Sequence, residues 1–77
     1  MKCSCCGRRK KLFESFEAIS PSINVCVECS TLLYKLRDYK AVNNEKEKDY
    51  CMDLIIKRKN NNSTKEFEEW FSSFANK

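Results

Sequence analysis

Residues 3–29 of the chain read CSCCGRRKKLFESFEAISPSINVCVEC. This stretch begins and ends with a Cys-x-x-Cys pair, and 19 residues separate the two pairs. Two such pairs separated by roughly 15–20 residues are typical of a zinc site. Together they supply four sulfurs for a tetrahedron with Zn–S bonds of about 2.3 Å. We therefore predict one structural Zn²⁺ held by Cys3, Cys6, Cys26 and Cys29.

The residues around the two pairs favour the same geometry. Gly7 directly follows the first pair, and glycine tolerates the positive φ with which a backbone folds back under a metal. The second pair lies at the start of a predicted helix, whose free N–H groups and dipole stabilise thiolates. A knuckle, a short hairpin and a helix in this order predict a treble-clef zinc finger.

Two of the six cysteines, Cys5 and Cys51, stand outside this pattern. Cys5 adjoins Cys6 and has poor chelating geometry, so we interpret it as a spare thiol, and Cys51 as a small buried residue. Disulfides, or a redox pair at residues 26–29, are the alternatives to metal. We favour metal, since we find no export signal or βαβ pattern, and we expect a reduced, cytoplasmic protein.

A hairpin and a first helix are predicted to complete the treble-clef unit. Residues 11–19 are expected to form a strand, Ser20-Pro21-Ser22 a turn, and residues 23–25 the return strand. The helix is expected to start at or just after Cys26 and to end near Asn43. Its apolar stripe at helical spacing comprises Leu32, Leu33, Leu36 and Tyr39.

Two amphipathic helices are predicted to follow. The second helix is expected over residues 44–59, with an apolar face of Tyr50, Cys51, Leu54 and Ile55. Ser63 and Glu66 have the spacing of a capping box at the start of the third helix.

The predicted fold class is a small zinc-stabilised α+β chain. We predict a single domain over residues 1–77, with the treble-clef unit at 1–43 and a helical extension at 44–77. Chains of this length usually need a disulfide, a metal ion or a partner subunit in addition to their small core. Here we expect a metal ion to supply that stabilisation.

Composition argues against catalysis. The chain has no histidine and one glycine, so it lacks the usual general base and the glycine-rich phosphate-binding loops. A zinc ion with four cysteine ligands keeps no open position for a substrate. We predict a non-enzyme with no small-molecule substrate. No apolar run approaches the roughly 20 residues of a membrane span, so no membrane partner is expected.

Two kinds of partner fit the remaining features. Phe67, Trp70, Phe71 and Phe74 lie at i, i+3, i+4 and i+7 and form an aromatic face. Aromatic residues are favoured in binding hot spots, so this face is the candidate surface for a protein partner, including a second copy in a homodimer. The competing interpretation is that the face packs inside the chain as core.

The alternative is a nucleic-acid-binding transcription regulator. Arg8, Arg9, Lys10 and Lys11 form a cation cluster beside the knuckle that can neutralise phosphates, and residues 57–59 extend it. The competing interpretation is local, because a four-thiolate zinc centre carries a charge of about −2 and cations complement a helix C-terminus. The formal charge of +4 is mild.

Two runs carry a family resemblance. One is Cys-x-x-Cys-Gly before a basic residue at 3–8, and the other is Pro-Ser-Ile-x-Val-Cys-x-Glu-Cys at 21–29, leading into an amphipathic helix. Over about residues 3–40 the chain resembles the N-terminal zinc-binding domain of ClpX, the ATPase partner of the Clp protease.

The resemblance implies a treble clef that holds zinc through its four cysteines, self-associates, and recognises adaptors or substrates by protein contact. Residues 44–77 have no counterpart in that domain, and the ATPase module is not part of this sequence. The role that the resemblance implies for this chain is that of an adaptor, an inhibitor or a regulator. Frequent lysine and asparagine favour a low-G+C bacterium or its phage as the source.

Overall fold

The structure, a computed structural model, describes residues 1–75. Its elements in chain order are β1 (Glu17–Ser20), β2 (Ile23–Val25), α1 (Val27–Ala41), α2 (Glu45–Lys59) and α3 (Lys65–Ala75). The prediction of a small α+β chain, with a hairpin followed by three helices, is confirmed. The last two residues of the predicted 44–77 extension lie outside the described part of the chain.

The hairpin is shorter than its sequence pattern predicted. β1 pairs with β2 antiparallel, from Glu17 opposite Val25 to Ser20 opposite Ile23. The prediction of a strand over residues 11–19 is wrong in its first part. Phe13 has a φ of +67°, which is incompatible with an extended strand. Residues 12–13 instead form a turn.

Two adjacent asparagines separate α1 from α2. Asn43 has a φ of +58°, and the next N–H, that of Asn44, donates to the carbonyl of Tyr39 at 2.9 Å. A left-handed residue followed by this bond closes a helix in the Schellman manner. The Asn44 side chain then accepts from the N–H of Glu47 at 3.3 Å and caps α2. The two helices therefore fold back on each other through a very short connection.

The start of α3 differs from the predicted capping box. Thr64 precedes the first helical residue, and its hydroxyl accepts from the N–H of Phe67 at 3.1 Å. Ser63 lies one residue too early to reach that N–H and donates to the Glu68 carboxylate instead. Thr64 is therefore the cap, and the Ser63–Glu66 box is wrong by one residue.

The core runs continuously from the turn at residues 3–7, the knuckle that carries the first Cys-x-x-Cys pair, to α3. Its buried apolar members are Cys3, Cys5, Ile23, Val25, Cys26, Cys29, Leu33, Leu36, Cys51, Ile55, Phe67 and Phe71. Tyr50 was predicted on the apolar face of α2 but is exposed. Cys51 and Ile55, one helical turn apart, provide the buried positions of α2, and Tyr50 lies about 100° around the helix from Cys51.

Backbone hydrogen bonds connect the knuckle to both its neighbours. The N–H of Ser4 donates to the carbonyl of Asn24 in β2 at 2.7 Å. The carbonyl of Ser4 accepts from the N–H of Thr64, before α3, at 2.9 Å. The first Cys-x-x-Cys pair is thus held between the hairpin and the loop that joins α2 to α3.

Candidate metal centre

The four cysteines predicted as ligands come together at one point. The Sγ atoms of Cys3, Cys6, Cys26 and Cys29 all lie within 4.8 Å of one another. A tetrahedral site with 2.3 Å Zn–S bonds has sulfur–sulfur edges of about 3.8 Å. The Cys6 and Cys26 sulfurs are 3.8 Å apart, which is the length of such an edge. This group is placed to hold one metal ion.

A tight turn presents the first pair of sulfurs. The N–H of Cys3 donates to the carbonyl of Arg8 at 2.8 Å, and the N–H of Gly7 donates to the carbonyl of Cys3 at 2.9 Å. Gly7 has a φ of +77°, and a Cβ added there would lie 3.2 Å from the carbonyl oxygen of Asn62. Glycine is therefore needed at this position for its backbone conformation and for the space it leaves.

The second pair is presented by the start of α1. Cys26 is the N-cap residue of the helix, and Cys29 lies in its first turn. The N–H groups of Cys26 and Cys6 point at the sulfur of Cys3, at 3.3 and 3.4 Å. Such N–H donors stabilise negative charge on the sulfur, as expected for thiolate ligands.

Burial disfavours the metal-free thiolates. The hydrogen bond with the Cys29 thiol, together with burial, raises the pKa of Cys3 to about 12. Burial also raises the pKa of Cys6. The Cys3 thiol lowers the pKa of Cys29, but the Cys5 thiol and burial outweigh it and the net shift is upward. A cation at the centre would supply the charge that ionises these sulfurs.

One cation from outside the two pairs reaches the site. Arg58, near the end of α2, donates from Nε to the Cys29 sulfur at 3.3 Å, and its Nη2 lies 4.0 Å from the sulfurs of Cys6 and Cys26. The same Nη2 donates to the Glu28 carboxylate at 3.2 Å. The Cys29 sulfur raises the pKa of Arg58, so the guanidinium remains charged over the cluster.

Sequence reasoning missed this contact and assigned residues 57–59 to the helix dipole or to a nucleic-acid patch. A signal was present in the helix lengths. α1 and α2 each have 15 residues and are joined by a short turn. Antiparallel packing therefore returns the end of α2 to the first turn of α1, where Cys29 lies.

The two remaining thiols do not join the cluster of four. Cys5 is buried in the core beside it, and Cys51 is buried on α2, where burial raises its pKa. Cys51 thus lies in the core, in agreement with its predicted role as a small buried residue.

The basic run at residues 8–11 is divided by the fold. Arg8 forms a bidentate salt bridge with Glu14, at 2.6 and 3.0 Å, and its guanidinium lies 5.7 Å from the ring centre of Phe16. Glu14 and, after it, Cys26 raise the pKa of Arg8. The other three cations, Arg9, Lys10 and Lys11, are exposed.

The aromatic face is also divided. Phe67 and Phe71 are buried in the core, whereas Trp70 and Phe74 are half-buried and stack at 4.8 Å between ring centres. These two rings line an open apolar groove of about 240 Å³ together with Ile19 of β1. Only part of the predicted partner surface is therefore accessible.

No family model, curated protein or solved structure matches the chain. Among the described residues, 1–75, no helix is long and apolar enough to cross a bilayer.

Proposed function

We propose that this chain binds one Zn²⁺ as a structural ion in a treble-clef site and acts as a non-enzymatic protein-interaction module. The observation that carries the proposal is the group of four cysteine sulfurs within 4.8 Å of one another, from two Cys-x-x-Cys pairs. A tight turn carries the first pair, a hairpin follows it, and the start of a helix carries the second pair, which is the order expected of a treble clef.

The donor set favours zinc and a structural role. Four sulfurs in tetrahedral arrangement suit zinc or an iron–sulfur centre, and the treble-clef order favours zinc. Four protein ligands fill the coordination of zinc and leave no position for an attacking water. Three of the sulfurs belong to buried residues, so the ion would complete the core of a short chain.

The interaction role is supported by what the surface leaves unburied. Leu12, Phe13 and Tyr50 are exposed, and the groove beside Trp70 and Phe74 is apolar. The resemblance to the ClpX zinc-binding domain points the same way, towards an adaptor, inhibitor or regulator in the cytoplasm of a bacterium or a phage host.

Binding to nucleic acid is the second candidate, favoured by the exposed cations Arg9, Lys10 and Lys11. It is weakened because Arg8 and Arg58 are engaged inside the molecule. Phosphate binding loses affinity log-linearly with salt, with a slope near −0.9 for each phosphate contacted on duplex DNA. A chain that fails to bind random duplex even at low salt would exclude this candidate.

Metal analysis of the purified full chain tests the zinc site. We expect one zinc per chain after expression in zinc-supplemented medium, no visible iron–sulfur absorbance, and loss of helical circular dichroism on chelation. Cys51→Ala is the matched control, since it removes a buried thiol away from the site and should keep the zinc. A chain that is folded and metal-free under reducing conditions would contradict the proposal.

The interaction role has its own test. Size-exclusion chromatography with light scattering reports self-association of the zinc-loaded chain, and affinity capture followed by reconstitution with each purified candidate reports binding to other proteins. A zinc-loaded chain that stays monomeric and binds no purified candidate would leave the zinc site standing and remove the interaction role.

A further inference from the structure

The turn after the zinc knuckle displays two apolar side chains to solvent. Leu12 is 84% exposed and Phe13 is 97% exposed. These are the two most exposed large hydrophobic residues in the described part of the chain. We call Leu12 and Phe13 the apolar tip.

The turn that carries the apolar tip is fastened at its base. Glu14 accepts from both Nη atoms of Arg8 and from the backbone N–H of Lys11, the latter at 2.9 Å. The N–H of Glu14 donates to the carbonyl of Lys11 at 3.2 Å, and the N–H of Lys10 to that of Met1 at 2.9 Å. These hydrogen bonds fasten the base of the turn to the knuckle and restrict the backbone that carries the tip.

Folding does not explain the phenylalanine at this position. Phe13 has a φ of +67°, a left-handed conformation that costs an aromatic residue free energy and that glycine or asparagine adopts more readily. Its ring is almost fully exposed, so it contributes no burial in return. Packing within residues 1–75 therefore gives no reason for an aromatic residue at this position.

The charges beside the apolar tip are of one sign. Arg9, Lys10 and Lys11 are exposed and form no salt bridge with any of residues 1–75. Glu14 is already paired with Arg8. An incoming surface therefore meets two apolar side chains flanked by three available cations.

We propose that Leu12, Phe13 and the cations Arg9, Lys10 and Lys11 form a docking site for a partner protein that offers an apolar pocket rimmed by carboxylates. Interface cores favour aromatic side chains, and a prefastened turn loses little conformational entropy on docking. The inference rests on the proposed interaction role, for which it names the surface and the chemistry of the partner.

A protein pocket fits these residues better than an anionic lipid surface or duplex DNA does. Lipid-binding basic segments usually carry about 4–8 lysines and arginines, and this turn offers three exposed ones. Duplex DNA binding commonly uses about 6–10 phosphate contacts. Neither of these surfaces requires a rigid turn, whereas insertion of a side chain into a shaped pocket gains from one.

The test uses a display library of a small folded protein whose pocket-forming loops are randomised, selected on the zinc-loaded full chain. We expect enrichment of loop sequences that combine Asp or Glu with large apolar residues. The affinity of individual purified binders is then measured by fluorescence polarisation. We expect Phe13→Asn to weaken their binding by about tenfold or more, because the burial of one phenylalanine side chain is lost. Asn tolerates the left-handed conformation, so zinc content and melting temperature should not fall.

Two further variants separate this site from others. The triple variant Arg9→Gln, Lys10→Gln, Lys11→Gln should weaken binding and flatten its salt dependence. Tyr50→Ser removes an exposed aromatic residue from α2 and should leave the affinity unchanged.

The inference is overturned if no pocket-bearing binder is enriched, or if the selected binders bind Phe13→Asn as well as the native chain. It is also overturned if the native chain instead binds phosphatidylserine vesicles or oligothymidylate in a Phe13-dependent manner. If the chain binds zinc, any of these results contradicts only the docking inference. If the purified chain binds no zinc, the proposed function itself is contradicted.

Discussion

The Nε of Arg58 lies 3.3 Å from the sulfur of Cys29, so the end of α2 closes over the start of α1 at the metal centre. The contact joins residues 29 positions apart in the chain and links the cysteine cluster to α2. Because a four-thiolate zinc centre would carry a charge of about −2, the guanidinium beside these sulfurs would stabilise the proposed zinc-loaded site.

Replacing Arg58 with Gln should weaken zinc binding by about 10–100-fold, the range that partners of metal ligands typically show. The variant loses the positive charge near three sulfurs and the donor to Cys29. Competition with a chromophoric chelator measures the affinity, and release into excess chelator measures the rate.

Lys57→Gln is the matched control for Arg58. It removes an exposed cation one residue earlier on the same helix end. Its zinc affinity should stay within about twofold of the native value, because an exposed charge away from the sulfurs is largely screened. Equal effects of the two substitutions would show that only the overall charge matters.

Cys26→Ser and Cys5→Ser should differ in kind, although both residues are buried beside the metal centre. The first removes a proposed ligand, so we expect loss of tight zinc binding and of the fold, since structural zinc binding supplies folding free energy. The second should keep one zinc per chain and lose about 1–3 kcal/mol of unfolding free energy, because a hydroxyl replaces a buried thiol.

Zinc content and chemical denaturation separate the two cysteine outcomes. If Cys5→Ser lost its zinc while Cys26→Ser kept it, the assignment of ligands would be wrong.

Zinc affinity should fall steeply as the pH falls. The pKa of Cys3 is raised to about 12 without metal, and those of Cys6 and Cys29 are raised too, so these thiols are protonated at neutral pH. Each must lose a proton to bind zinc, and lower pH stabilises only the metal-free form. With at least three protons released, affinity should fall about a thousandfold per pH unit below the thiol pKa values.

Chelator competition between about pH 8 and about pH 6, corrected for protonation of the chelator, measures this slope. Cys51→Ala should show the same slope as the native chain. A pH-independent affinity would mean that the thiolates already exist in the metal-free chain.

Thr64→Ala should destabilise the chain more than Ser63→Ala. Thr64 caps α3 by accepting from the N–H of Phe67, and loss of such a cap costs about 1 kcal/mol. Ser63 bonds only an exposed carboxylate, that of Glu68, so its loss should cost less than about 0.5 kcal/mol. Thermal unfolding of the zinc-loaded variants compares them, and a larger effect at Ser63 would restore the capping box that the sequence suggested.

Local signals predicted the parts of the fold that depend on near neighbours. The start of α1 after Cys26 and the asparagine boundary between α1 and α2 were anticipated from spacing and capping residues. The cap of α3 was missed by one residue, because both Ser63 and Thr64 can cap and only the observed start of the helix at Lys65 distinguishes them. The strand over residues 11–19 was too long, since the chain turns at Leu12 and Phe13, where Phe13 has a positive φ.

Which four cysteines meet could be predicted from their spacing alone, because two Cys-x-x-Cys pairs constrain their sulfurs through short-range backbone geometry. The surroundings of that site depend on how the helices and the hairpin pack. Helix packing brought Arg58 to the sulfurs, buried Phe67 and Phe71, and left Phe13 in solvent. Periodicity shows that a face is apolar, but which apolar side chains are covered depends on contacts between residues far apart in the chain.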